Sequence, residues 1–248
     1  MTNARIISRV AALALAAAVL LGSAMAANAG GDALRGDRVG WARLRTHDPD
    51  NIWRRHASGD PTLMQFIREQ TTLNIDPTWY VADIGSLEEM CRYPLLFSQG
   101  VHYVTDERQR ANIAEYIRRG GFLIIDVCIN ADLNPDCDER LASNIAVLTQ
   151  ALPEAKVMKI PPTHDIYHCF FEIPAGVPPH TYFNNVYNPK LARHGLYALM
   201  IGSRMAGVIS LCGLQCGWDR MIAPPGHDVA CMKMLVNIYV YAMSQGGK

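Results

Sequence analysis

Two side chains in this sequence are best suited to chemistry: a thiol at the end of an apolar strand and an imidazole on a later connection. Cys128 closes the run Gly121-Phe122-Leu123-Ile124-Ile125-Asp126-Val127-Cys128, the pattern of a strand buried on both faces. A thiol exposed on a tight turn beyond such a strand is activated by backbone N–H groups, which also supply an oxyanion hole. His164 lies on the connection leaving another strand, where it can act as the base for Cys128. Each residue also has a structural role open to it. Cys128 can finish a buried strand as a small apolar residue, and His164 can shape a loop by hydrogen-bonding backbone.

Asp126 and Asn130 stand two residues before and two after Cys128. Open α/β sheets bind ligands beyond the carboxyl ends of their strands, so both are ligand-binding candidates. His168 follows His164 at a spacing of four. On a helix that spacing puts both rings on one face and suits a metal. Pro161-Pro162 before them and Phe170-Phe171 after them fit an extended or turning segment as well. Metal binding by this pair with neighbouring acids is a third reading, and no metal site is assigned. The segments 47–50 and 134–138 carry oxygen and nitrogen ligands but lack the alternating acids and central Gly of a calcium loop. Turn and cap chemistry accounts for them. Trp218 beside Gly217 is a candidate stacking platform for a sugar or other ring, or a Trp packed beneath a loop.

The chain has 7 cysteines, and an odd number leaves at least one thiol unpaired within a monomer. Cys212 and Cys216 lack the second pair a zinc site needs, so a local disulfide, or pairing with Cys231 or Cys137, is expected. Asn237, inside an apolar helix, is expected to satisfy a nearby backbone group.

The elements that position these residues follow from periodicity. Residues 39–45 alternate like a strand, and Asp60-Pro61 starts a helix, Asp60 as its N-cap and Pro61 at the first helical position, with Leu63, Met64, Phe66 and Ile67 as its buried stripe. Strands are predicted at 79–84 and 94–98. A helix follows from the cap Asp106 to Gly120, with Ile113, Ala114 and Ile117 facing inward. A polar loop over 130–138 leads to a helix over 139–151 and a short strand at 156–160. Residues 196–201 and 205–211 read as a hairpin across Gly202-Ser203-Arg204, placed at an antiparallel edge or as an elaboration. A last helix covers 228–243. Strands alternating with helices imply a mainly parallel sheet with helices on both faces.

The first 29 residues have the three regions of a signal peptide: Arg5 and Arg9, an apolar stretch over 10–21, and A-x-A sites ending at Ala26 and Ala29. The apolar stretch is shorter than the ~20 residues a membrane span needs, and there is no twin-Arg pair or Cys at the cleavage region. A Sec-type exported protein, periplasmic or secreted, is expected, with one domain over 30–248 and no membrane span after signal removal. Removing residues 1–29 leaves 21 basic against 23 acidic residues, with no basic patch to serve nucleic acid. No cofactor is expected.

Several stretches carry a family resemblance. They are Tyr93-Pro94-Leu95-Leu96-Phe97, Tyr116-Ile117-Arg118-Arg119-Gly120-Gly121-Phe122-Leu123-Ile124-Ile125-Asp126, His164-Asp165-Ile166-Tyr167-His168, Cys216-Gly217-Trp218-Asp219 and Met234-Leu235-Val236-Asn237-Ile238. In this order the chain resembles the bacterial family known as domain of unknown function 4159. The resemblance implies a flavodoxin-like three-layer α/β sandwich, related to class I glutamine amidotransferases and to trehalose-utilisation-type proteins. It brings no reaction with it. Amidotransferases present their Cys on a turn with Gly two residues to either side, where this chain has Asp126 and Asn130. They also need a late His-x-Glu, where this chain has His227-Asp228-Val229. Glutaminase chemistry is therefore not expected. The favoured reading is a noncatalytic envelope module that binds a small molecule or a partner protein. The alternative is a hydrolase or transferase with Cys128 as nucleophile and His164 as base.

Overall fold

The computed structural model describes residues 38–127, 137–178, 194–219 and 225–245, with the backbone of 181–182 and 186–187. Residues 1–29, Cys128 and Asn130 lie outside the described residues.

The apolar run before Cys128 forms β4 (Phe122–Asp126), every residue of which is buried. It sits at the middle of a seven-stranded sheet. On one side lie β3 (Leu95–Ser98), β1 (Val39–Arg45) and β2 (Ile75–Asp83). On the other lie β9 (Arg204–Ser210), β8 (Leu196–Ile201) and β5 (Lys156–Lys159). From β2 to β9 the strands are parallel, and β8 is antiparallel to both of its neighbours. A separate two-stranded ribbon pairs β6 (Thr181–Tyr182) with β7 (Val186–Tyr187).

Side chains alternate across each strand, and β4 shows why both faces need cover. Leu123 and Ile125 join a core with Ile113 and Ile117 of α3 (Glu107–Arg118) and Leu148 of α4 (Cys137–Ala151). Phe122 and Ile124 join the opposite core. There they meet Leu63 and Ile67 of α1 (Asp60–Gln70), Trp218 of α5 (Leu214–Trp218) and Leu235 of α6 (His227–Ser244). Each such buried side chain contributes about 1.5–3 kcal/mol. The one-turn α2 (Leu87–Met90) bridges β2 and β3 in sequence. Among the described residues no helix is long and apolar enough to cross a membrane.

The Asp106 carboxylate caps α3 by accepting from the Gln109 N–H, as its position predicts. Asn237 also behaves as expected. Its carboxamide accepts from the Phe171 N–H and donates to the Phe171 carbonyl, both at 2.8 Å. Three of the predicted features come out differently. Gly59 takes the N-cap of α1, and Asp60 enters the first turn with its carboxylate turned into the protein. β2 starts at Ile75, ahead of the predicted 79, because an exposed edge strand shows little apolar alternation and tolerates Pro77.

The third difference concerns the β8–β9 hairpin, which lies inside the sheet and not at its edge. β9 is buried from Met205 to Ser210 and needs cover on both faces, while β5, with Lys156, Met158 and Lys159 exposed, suits the edge. The contact between β9 and β4 is close. A Cβ on Gly207 would collide with the Leu123 carbonyl oxygen, so only Gly fits there.

Candidate functional site

The chain leaves β1 towards β2 on one side and leaves β3 towards β4 on the other. Connections that part in this way open a crevice at the carboxyl ends of the two strands, the usual ligand position in open α/β sheets. Residues 51–59 form one wall of it, and a buried charge pair holds them in place.

Arg43 of β1 and Asp60 of α1 are both fully buried. Arg43 donates from Nε and Nη2 to the two Asp60 oxygens at 2.6 and 2.7 Å. Its Nη1 donates to the carbonyls of Trp53 and Arg55 at 3.1 and 2.8 Å, and its Nη2 to that of His56 at 3.3 Å. The indoles of Trp41 and Trp218 donate to the same carboxylate at 3.2 and 3.3 Å. The guanidinium also lies 5.0 Å from the centre of the Phe97 ring. A buried pair is tolerable only when its remaining donors and acceptors are met, and here they are met by the loop. Asn51 and His56 in that loop take left-handed backbone (φ 50° and 56°), an uncommon state for non-glycine residues that the surrounding contacts must hold. Asp219, just past α5, fastens the loop from the other side. It accepts from the Ser58 hydroxyl at 2.7 Å and pairs with His56 Nδ1 at 3.0 Å.

The second wall is the β3–α3 connection. Asn144 of α4, fully buried, accepts from the Val101 N–H at 2.8 Å and donates to the Arg140 carbonyl at 2.8 Å. It also reaches His102 Nδ1 at 3.4 Å. With Nδ1 as acceptor, the neutral ring carries its proton on Nε2. That nitrogen is buried and has no partner among the described residues. Gly100 permits this ring position. Its φ is +131°, and a Cβ would stand 2.7 Å from His102 Nδ1. Gln99 donates its carboxamide N–H to the Arg55 carbonyl and so ties the two walls together. Between them lies a cleft of about 40 Å³, lined by Arg55, Gln99, His102, Tyr103 and Arg140, with Ile52 and Val127 as its apolar part. Burial and then the charge of Arg140 push the His102 pKa down to about 4.

A family model described as domain of unknown function (DUF4159) matches residues 41–243. The chain belongs to this family. No curated protein matches it. The DUF4159 segment runs from within β1 to the last turn of α6 and therefore includes both walls of the cleft.

The residues singled out from sequence are spread over this DUF4159 domain. Asp126 ends β4, fully buried, and its carboxylate accepts from the Gln215 N–H at 3.0 Å in the first turn of α5. Trp218 is also fully buried, edge-on to Trp41 and Phe97, with its N–H on Asp60. Its ring packs beneath the surface, the second of the two roles its position allowed. His164 caps a 3-10 turn (Asp165–Tyr167) by accepting from the Ile166 N–H, and its ring lies 5.2 Å from that of Tyr241. Tyr241 is ten residues along α6 from Cys231, or about 15 Å at 1.5 Å per residue. Cys231 is near enough to Asp126 to feel its charge. His168 engages both ring nitrogens, Nδ1 with Glu172 at 2.7 Å and Nε2 with the Pro162 carbonyl at 3.2 Å. The hydrogen bond to Glu172 is the main cause that raises its pKa. Among the described residues no group of three metal-ligating side chains converges.

The expected disulfides are not formed among the described residues. Cys91, Cys137, Cys169, Cys212, Cys216 and Cys231 are all present as thiols. Cys212, Cys216 and Cys231 are buried, and Cys231 of α6 joins the core that holds Leu235. Burial pushes the Cys212 thiol up to about 12, with the charge of Asp126 adding to the shift. Cys231 is raised for the same reasons, and its sulfur lies 3.3 Å from His227 Nε2.

Sequence reasoning missed Arg43, Arg55, Gln99, His102, Arg140 and Asn144. One signal was available: Arg43 stands inside an otherwise apolar strand, where a charge must find a partner.

Proposed function

We propose that the protein is an exported, noncatalytic binding module on a flavodoxin-like, amidotransferase-related fold, whose small ligand enters the cleft between β1 and β3. One observation carries this reading. Among the described residues, chemically distinct side chains converge on the cleft at the strand-order switch, while Asp126 and Trp218 are spent on internal contacts. The strand order β2-β1-β3-β4 supports the flavodoxin-like assignment. The A-x-A sites ending at Ala26 and Ala29 support export.

The test is a small-molecule binding screen on the purified protein and on a His102→Ala variant, with turnover measured on the same compounds. Compounds that bind the parent, lose affinity in the variant and stay chemically unchanged support the reading. Turnover of any of them overturns it. N-terminal sequencing of the extracytoplasmic protein tests export. A mature chain beginning at Ala27 or Gly30 supports it, and retention of Met1 refutes it. The alternative, Cys128 as a nucleophile, is favoured by one observation: Val127, the residue before it, lines the cleft. Rapid alkylation of Cys128 near neutral pH would promote that alternative.

A further inference from the structure

Two cationic side chains, Arg55 and Arg140, line the cleft. The nearby carboxylate of Asp48 is turned to its own loop, where it accepts from the Ile52 N–H at 2.6 Å and from the Thr46 hydroxyl at 2.9 Å. We propose that the cleft holds an oxyanion group of its ligand, with the guanidinium groups of Arg55 and Arg140 supplying charge and the Nε2–H of His102 a neutral hydrogen bond. This inference rests on the cleft reading above and names the chemical class that the cleft accepts.

Three observations carry it. First, guanidinium forks match the oxygens of carboxylates, phosphates and sulfates better than they match neutral groups. Second, the backbone of Arg55 is fixed beside the cleft, because its carbonyl takes hydrogen bonds from both Arg43 and Gln99. The point from which its side chain reaches a ligand is therefore set before binding. Third, a buried imidazole N–H without a partner among the described residues calls for an acceptor, and an oxyanion is one. A volume of about 40 Å³ admits one such group, so the rest of the ligand extends outwards.

The environment of His102 gives the site a distinctive signature. Burial disfavours its protonated form most, the charge of Arg140 repels that form, the charge of Asp48 favours it, and the centre of the Tyr103 ring lies 3.8 Å from its own. The resulting low pKa of about 4 keeps the ring a neutral donor at neutral pH. An anion seated beside it offsets the repulsion from Arg140 and raises that pKa. By reciprocity an anion that keeps its charge, such as sulfate, binds more tightly as pH falls towards that value.

The experiment follows the His102 ring signals by NMR in the purified full chain, at constant ionic strength set with chloride. The probes are sulfate, phosphate and acetate, with dimethyl sulfone as a neutral analogue of sulfate. The inference expects saturable shifts and a raised His102 pKa with at least one of the three anions, and the tightest of them names the group carried. Arg55→Gln and Arg140→Gln should each weaken that binding about tenfold or more. If dimethyl sulfone saturates the site and the anions do not, the cleft binds ligands and the oxyanion inference fails. If neither class moves His102, the cleft reading fails with it. An anion response unchanged in both Arg variants is an adventitious ion only, and overturns the inference.

Discussion

Replacing Asp60 with Asn tests whether the buried charge pair organises both the core and the cleft wall. The carboxylate neutralises Arg43 and accepts two indole N–H groups, in a position with no solvent access. The carboxamide would keep the shape and remove the charge, leaving the guanidinium buried without compensation. Removing one partner of a buried pair costs about 3–5 kcal/mol. With a urea m-value of about 2 kcal/mol/M, a loss of about 4 kcal/mol lowers the unfolding midpoint by about 2 M. The assay is urea unfolding followed by Trp fluorescence, which reports directly on Trp41 and Trp218. A companion variant, Arg43→Met with Asp60→Leu, removes both charges. It should recover only part of the loss, because the Trp53, Arg55 and His56 carbonyls lose their donor. A cost for Asp60→Asn of under about 1 kcal/mol, the range of exposed pairs, would refute the reasoning.

Gly207→Ala should cost on the order of 3 kcal/mol in the same assay, since its methyl group would meet the Leu123 carbonyl oxygen across the β4–β9 contact; an unchanged midpoint would contradict that close approach. His168 should titrate above its ordinary 6.5, and Glu172→Gln should bring it back down. Because its folded pKa is raised, its contribution to stability is fully present below pH about 6.5 and fades as pH rises through the folded value, as NMR titration with unfolding across that range would show. Under native alkylation Cys91, which is exposed, should react while Cys212, Cys216 and Cys231 wait for denaturant. Mass spectrometry that found a bridge between any two of these four would overturn the thiol assignment.

The elements of this protein were legible wherever their signal is local. The apolar run before Cys128 announced a doubly buried strand, and β4 is one. The Asp106 cap, the Ile113–Ile117 stripe and the 196–211 hairpin each depend on spacings of a few residues, and each is found. The edge strand β2 was read short because exposure erases the alternation that marks a strand. The one-turn α2 and α5 carry too few residues for a period to show.

The site was decided at a different level. Arg55, Gln99, His102 and Arg140 come from two separate connections and from helix α4, and share no spacing. They meet because β3 pairs with β1 on the side away from β2, and nothing in local periodicity sets that order. Asp60 makes the same point on a smaller scale. Its place before Pro61 marks a helix start from sequence alone. Whether its carboxylate caps that helix or neutralises Arg43 depends on what stands across the core, and only the folded chain brings Arg43 there.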